Sequence, residues 1–248
     1  MLASPMTYKK MASIKLNAIA NYFGQGYTVA MVVICTPLYL QYLGAESYGL
    51  VGFFMMMQYW LNLLDLGLSA TLCRQVSFAR GQIFGFKHFN NLLRSFEIVF
   101  ITLAIIIVLA VYFQSNWLAY TWIKAISLDP EIISYCISIM GVIIGLRFFS
   151  TLYRGGIIGF EDQIWLNKAT VAITSLKYIG ALLILAYISN DIELFFEYQL
   201  VITVLEVGVL SRRFYYNLPS STISKKRFKI DWRFFHEILP FSMSITYT

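Results

Sequence analysis

The chain has 248 residues, 58% hydrophobic and 13% charged, with a mean hydropathy of +0.67 and a formal net charge of +6. Soluble domains carry about 25% charged residues, and a globule of this size still needs a polar surface, so a water-soluble fold is excluded. The apolar runs are continuous and about 20 residues or longer, not the alternating segments of about ten residues that build a β-barrel. The class is an all-α polytopic membrane protein.

Residues 1–16 are polar and basic, with Lys9, Lys10 and Lys15. They predict a cytoplasmic N-terminus, followed by a six-span lobe over residues 17–216. The first span, Asn17–Leu43, is too long for a signal-peptide core and holds Pro37, which removes a helical hydrogen bond and should kink the outer half. Gly44-Ala45-Glu46-Ser47 is a polar corner, and Tyr48–Thr71 a second span, so the two form a helical hairpin. Further spans are expected at about Leu92–Phe113, Ile132–Ile158, Asn167–Ser189 and Leu194–Tyr216. Trp117, Tyr120 and Trp122 form an aromatic belt at an interface. Residues 217–230 read as a basic cytoplasmic linker. In residues 231–248, Asp231 is placed to cap a last helix, and the apolar run from Ile238 is the truncated start of a seventh span, since eleven helical residues reach only about 16 Å.

Basic residues give the orientation. Segments 1–16, 72–94, 154–168 and 211–233 hold three, four, two and seven Lys or Arg, 16 of the 19 in all. The opposite loops hold only Lys124, so the first group of segments is expected in the cytoplasm. Cys35, Cys73 and Cys136 lie in or beside different apolar segments without metal-ligand spacing and are read as core residues. No phosphate-binding glycine loop, metal-ligand pattern or catalytic constellation stands out. The expectation is therefore a non-enzyme without a cofactor or metal. The basic, aromatic stretch 225–233 sits beside a span, which favours anionic headgroups over nucleic acid.

Two stretches resemble a known family. The first is Pro37-Leu-Tyr-Leu-x-x-Leu-Gly44-x-Glu46-x-Tyr48-Gly49-Leu50, with Asn17 and Asn21 before it and Leu64-Asp65-Leu66-Gly67-Leu68-Ser69 after it. The second is Tyr153-Arg154-Gly155-Gly156-x-x-Gly159, followed by Trp165-x-Asn167. Together they resemble the polysaccharide transporters, O-antigen flippases among them, of the superfamily that also holds multidrug-extrusion (MATE-type) transporters and lipid II flippases. The resemblance covers the first lobe and the approach to the second. It implies a twelve-span flippase fold in two six-span lobes, of which this chain carries the N-terminal one, with a C-terminal lobe as the missing partner.

Charges inside spans are the most informative residues, because each costs about 2.5–3.5 kcal/mol at a helix centre on insertion scales. Arg147, Lys177 and Glu206 lie near the centres of spans four, five and six. Equal depth suggests a Lys177–Glu206 pair, which leaves Arg147 as net positive charge. Arg154, seven residues on and on a similar face, stands nearer the cytoplasmic mouth, where it could meet a pyrophosphate or simply snorkel to the interface. With the resemblance, these four residues become candidates for an electropositive substrate cavity. The alternative is a buried ion pair that locks helix packing. Gln58, Asn62 and Asp65 follow i, i+4, i+7 spacing and form a secondary polar stripe suited to interhelical hydrogen bonds. Asp65, Arg94 and Glu97 read as a structural cluster near the cytoplasmic ends. The Gly141-x-x-x-Gly145 and Gly155-x-x-x-Gly159 pairs permit close helix approach.

The expected function is flipping of a polyprenyl-pyrophosphate-linked glycan from the cytoplasmic to the outer leaflet of a bacterial inner membrane, in O-antigen (lipopolysaccharide) or capsule synthesis. A MATE-like small-molecule antiporter, a polytopic polysaccharide-assembly enzyme and an inactive truncated remnant are the alternatives.

Overall fold

The corner expected at Gly44–Ser47 narrows to a single residue. Helix α1, Ile14–Leu64, keeps helical dihedrals throughout, Pro37 included, except at Gly44, where φ is 76° and ψ 172°. That region is open essentially only to glycine. Ala45, Glu46 and Ser47 are already helical, so the polar stretch supplies the start of the second limb and not the turn. The chain does reverse there. The Tyr48 hydroxyl reaches Thr36 Oγ1 at 3.4 Å, two residues that one straight helix would hold about 18 Å apart. The limbs of this hairpin are 14–43 and 45–64. Gly44→Ala should cost about 1–3 kcal/mol of backbone strain. Gly26→Ala, at a helical position with nothing within 4 Å of the added carbon, should stabilise by up to about 1 kcal/mol. Thermal unfolding in detergent reads both, and equal shifts would refute the strain argument.

These coordinates are a computed structural model that describes residues 14–64, 67–81, 89–123, 125 and 128–219. The linker after 219, the expected seventh-span start, the first 13 residues, Asp65 and Lys124 lie outside the described residues, as does the side chain of Asn62. Every regular element among the described residues is helical: α1, α2 (Leu68–Gly81), α3 (Phe89–Trp117), α4 (Pro130–Gly159), α5 (Gln163–Ser175), α6 (Ala181–Tyr187) and α7 (Ile192–Asn217). Two π-helical segments, Leu118–Trp122 and Leu176–Gly180, extend α3 and join α5 to α6. Five helical stretches are long and apolar enough to cross a bilayer: Ala20–Trp60, Asn91–Trp122, Pro130–Gly159, Gln163–Tyr187 and Ile192–Asn217. The first is the one folded at Gly44, and the protein is embedded in the membrane as a multi-pass bundle.

The second expected span, Tyr48–Thr71, is not one helix. Gly67 has φ 75°, a left-handed conformation that ends the apolar limb and starts α2 on a new axis. Both the backbone N–H and the hydroxyl of Thr71 then donate to the Gly67 carbonyl at 2.9 Å. At the far end, Asp129 caps α4 by accepting from the Glu131 N–H at 3.0 Å, with Pro130 in the first turn.

Helix α4 is the axis of the fold. It lies antiparallel to α3, as Phe100–Phe148 stacking at 5.1 Å and the Ser115–Ser134 contact show. It lies parallel to α7, with Tyr135 bonded to Glu197 near one end and Tyr153 against Phe214 near the other. The glycine pairs carry close contacts with α3 and α2, as their spacing predicts. A Cβ at Gly145 would stand 2.7 Å from Val108 of α3, and one at Gly155 only 2.5 Å from the Ser69 carbonyl of α2. Ile137, Ile143, Leu152 and Ile157 of α4 are fully buried in the core. Cys35 and Cys136 are buried there too, and Cys73 is half-buried.

One end of the bundle is pinned by ion pairs around the α4–α5 turn. Arg80 of α2 donates to the Gly159 carbonyl at 3.1 Å and to Glu161 at 3.3 Å. Arg213 of α7 meets Asp162 at 2.6 Å and stacks over Trp165 at 4.9 Å. These contacts tie α2, α4, α5 and α7 together at the end where the basic residues cluster.

Candidate functional site

The central charges converge from three helices. Glu206 projects from the middle of α7, and each of its oxygens takes a different cation. Lys177 Nζ lies 3.4 Å from Oε2 and Arg154 Nη2 3.3 Å from Oε1. The Lys177–Glu206 pair expected from equal depth is therefore present. Arg154, placed by sequence at the mouth, joins the same carboxylate and also reaches Thr170 Oγ1 at 3.3 Å. The side chains of Lys177 and Glu206 are 15% and 11% exposed, that of Arg154 36%. The pair is thus enclosed while Arg154 keeps one face open.

Arg147 stands apart from the carboxylate. Its Nη1 donates to Gln58 Oε1 on the second limb of α1. Its guanidinium lies over the Phe54 ring at 5.3 Å, close enough for a cation–π attraction. Its Nε is buried and has no hydrogen-bond partner among the described residues. Gln58, read from sequence only as part of a packing stripe, is thus what orients Arg147. The four groups sum to three positive charges and one negative. Because both oxygens of Glu206 are engaged, the positive excess is not neutralised within the cluster.

The backbone under Lys177 is unusual. The π-helical turn Leu176–Gly180 releases carbonyls from the regular helical ladder. Side chains from flanking helices take up three in succession. Tyr198 donates to the Leu176 carbonyl at 2.7 Å, Gln199 to Lys177 at 3.1 Å and Tyr39 to Tyr178 at 2.9 Å. These bonds fix the lysine's backbone from α1 on one side and α7 on the other. Gly180 makes room for the first of them, since a Cβ there would stand 1.8 Å from the Tyr198 hydroxyl oxygen.

Thr170, Gln199 and Tyr198 were missed by the sequence reading, and two had a legible signal. Thr170, Thr174 and Lys177 repeat at i, i+4, i+7, and so do Gln199, Thr203 and Glu206. Each is a polar stripe on an otherwise apolar helix. Gln199, Thr203 and Glu206 are all buried.

The second expected cluster is also present in part. Arg94 Nη1 lies 2.9 Å from Glu97 Oε2. The other Glu97 oxygen accepts from Tyr153 at 3.2 Å and from Tyr215. Glu97 is 6% exposed, and with all its donors in place it ties α3 to α4 and α7. This is a structural lock, as its sequence position suggested. A polar seam joins the first limb of α1 to α5 through Asn21, Gln163 and Asn167, with Tyr27 on Ser175 at 2.7 Å.

No protein-family model, curated protein or solved structure matches the chain. The chemistry of the site therefore rests on its own geometry. The described residues hold no group of three or more His, Cys, Asp or Glu side chains suited to a metal ion. What the cluster offers is a set of N–H donors on fixed cations, which is the chemistry of anion recognition.

Proposed function

We propose that the chain forms the first lobe of a flippase for a polyprenyl-pyrophosphate-linked glycan, in O-antigen or capsule synthesis in a bacterial inner membrane. One observation carries this reading: a net cationic cluster near the middle of three membrane-length helices, whose single carboxylate already has a cation on each oxygen. Charges at that depth are costly and mark substrate or ion paths. A phosphoanhydride supplies the compensating negative charge. Arg147, with its buried Nε uncommitted, offers the donor set for a phosphate oxygen, and Lys177 retains two ammonium protons for another. Arg154 stands toward the basic end, which the Lys and Arg distribution assigns to the cytoplasm, and gives an incoming headgroup its first contact. The resemblance at Pro37–Ser69 and Tyr153–Asn167 supports the same class, and in a two-lobed protein this cluster would line the cavity between lobes.

The test is affinity for polyprenyl pyrophosphate, measured on the purified protein in detergent. Hydrogen bonds to a charged group are worth about 1.5–3 kcal/mol, so Arg147→Ala should weaken binding by roughly 10- to 100-fold. In cells, the Arg147→Ala, Lys177→Ala double variant should abolish surface polysaccharide. Unchanged binding together with unchanged polysaccharide sinks the proposal. Preferential binding of hydrophobic cations would favour a small-molecule antiporter instead.

A further inference from the structure

The far end of α3 and α4 frames an open cleft whose chemistry differs from that of the cationic cluster. Its volume is about 350 Å³, within the range of roughly 300–1,000 Å³ typical of small-ligand sites. Three lining residues are aromatic: Tyr112 and Phe113 of α3, edge to face at 5.9 Å, and Tyr135 of α4. The Tyr135 hydroxyl donates to Glu197 of α7 at 2.8 Å, which fixes the ring. Hydroxyls and an amide come from Ser115, Asn116, Ser134 and Ser138.

The hydroxyl protons are already directed. Ser115 donates to the Tyr112 carbonyl at 2.8 Å and Ser138 to the Ser134 carbonyl at 2.9 Å. Ser134 Oγ lies 2.7 Å from Asn116 Oδ1 and donates there. Ser115 is buried and already meets Ser134 Oγ at 3.2 Å, so Ser134 and Ser138 are left with lone pairs to offer, and Asn116 with its Nδ2 protons. Glu131 adds a carboxylate at the rim, and among the described residues no Lys or Arg lines the cleft. Among these residues an anionic headgroup would find acceptors and a negative charge, and no cation.

Adjacent acceptors and donors beside aromatic rings suit a molecule with hydroxyls on its edge and C–H groups on its face. The partly positive C–H groups meet the negative face of the ring, while the hydroxyls bond to the serines and the amide. We propose that this cleft is a binding site for a neutral saccharide. It is separate from the cationic cluster. Nine residues along α4 from Ser138 to Arg147 cover about 14 Å and about two and a half turns, which puts the two on opposite sides of the helix. The proposal goes beyond the flippase reading and stands on the cleft alone.

Saturation-transfer NMR on the purified protein in a sugar-free zwitterionic detergent tests it. The probes are the methyl glycosides of glucose, galactose, rhamnose and N-acetylglucosamine, with glycerol as control. At least one glycoside should receive saturation, and glycerol should not. Ser134→Phe, which fills the cleft, should reduce transfer at least fivefold. Asn116→Leu, at an exposed position that leaves the core untouched, should do the same. Arg147→Ala should leave it unchanged while weakening pyrophosphate binding, so the two sites fail or succeed separately. Absence of transfer from every glycoside, equal transfer from glycerol, or transfer indifferent to both cleft variants would overturn the proposal.

Discussion

Glu206→Leu is expected to destabilise the protein by about 3–5 kcal/mol, the scale for removing one partner of a buried ion pair. The argument turns on what remains. Lys177, at 15% exposure, would be left in a low-dielectric site with no acid to face, while Arg154, at 36%, is the less enclosed of the two. The loss should therefore come mainly from Lys177. It follows that Glu206→Leu combined with Lys177→Met should recover most of the stability, because a buried pair replaced by apolar groups of similar volume is often neutral or better. Denaturant unfolding of the wild type, both single variants and the double variant closes the cycle. If Glu206→Leu alone costs under about 1 kcal/mol, the carboxylate is solvated and the pair is not buried. The double variant also separates stability from transport. On the flippase reading it should fold and still fail to support surface polysaccharide, since it loses one of the proposed phosphate contacts.

Gly155→Leu is expected to prevent α2 from docking on α4. The first carbon added at Gly155 would stand 2.5 Å from a backbone carbonyl, that of Ser69, and 3.2 Å from the Ser69 Cβ. A side-chain neighbour could rotate away, but here the backbone of α2 itself would have to move. Overpacking in a well-filled core costs about 1–3 kcal/mol, and the added branched chain places this variant at or beyond the top of that range. Arg80 would lose its bond to the Gly159 carbonyl as the helices separate, so the turn after α4 should loosen as well. Limited proteolysis in detergent should show new cleavage near that turn. Gly52→Leu serves as the control, because nothing lies within 4 Å of its added carbon. Equal behaviour of the two variants would remove the role given to the glycine pairs.

Hydropathy located the fourth, fifth and sixth expected spans within about four residues at each end, while the third runs on past its expected end at Phe113 to Trp122, because burial in lipid requires long apolar runs whatever their neighbours are. The glycine spacing on α4 was legible for a similar reason: small residues every fourth position leave one smooth helix face. The break at Gly67 was not. Its φ of 75° is a dihedral choice within an apolar run whose composition hardly changes. The corner at Gly44 was read too wide, since polar character marked Ala45–Ser47 although the turn needs only the glycine. At the site, residue depth was enough to pair Lys177 with Glu206. It could not supply Gln58 for Arg147 or bring Arg154 to Glu206. Those contacts depend on which helices are neighbours and on how each is rotated, and apolar runs carry little of that information.

The π-helical turn at Leu176–Gly180 gives the fifth span two independent phases. A π turn holds one residue more than regular α geometry, and one residue corresponds to about 100° of rotation. Below it, Thr174 is buried, and Lys177 lies within the turn; above it, Ala181 and Leu185 are buried while Leu183 is 53% exposed. Deleting one residue within the turn would leave both ends of the span at nearly their present depth but twist the upper segment like a screw. Leu185 would swing out and a lipid-facing residue would swing in. The span therefore behaves as two helices under separate constraint. The turn between them is bound to keep a cation in place, and the upper helix is free to follow the shape of its neighbours.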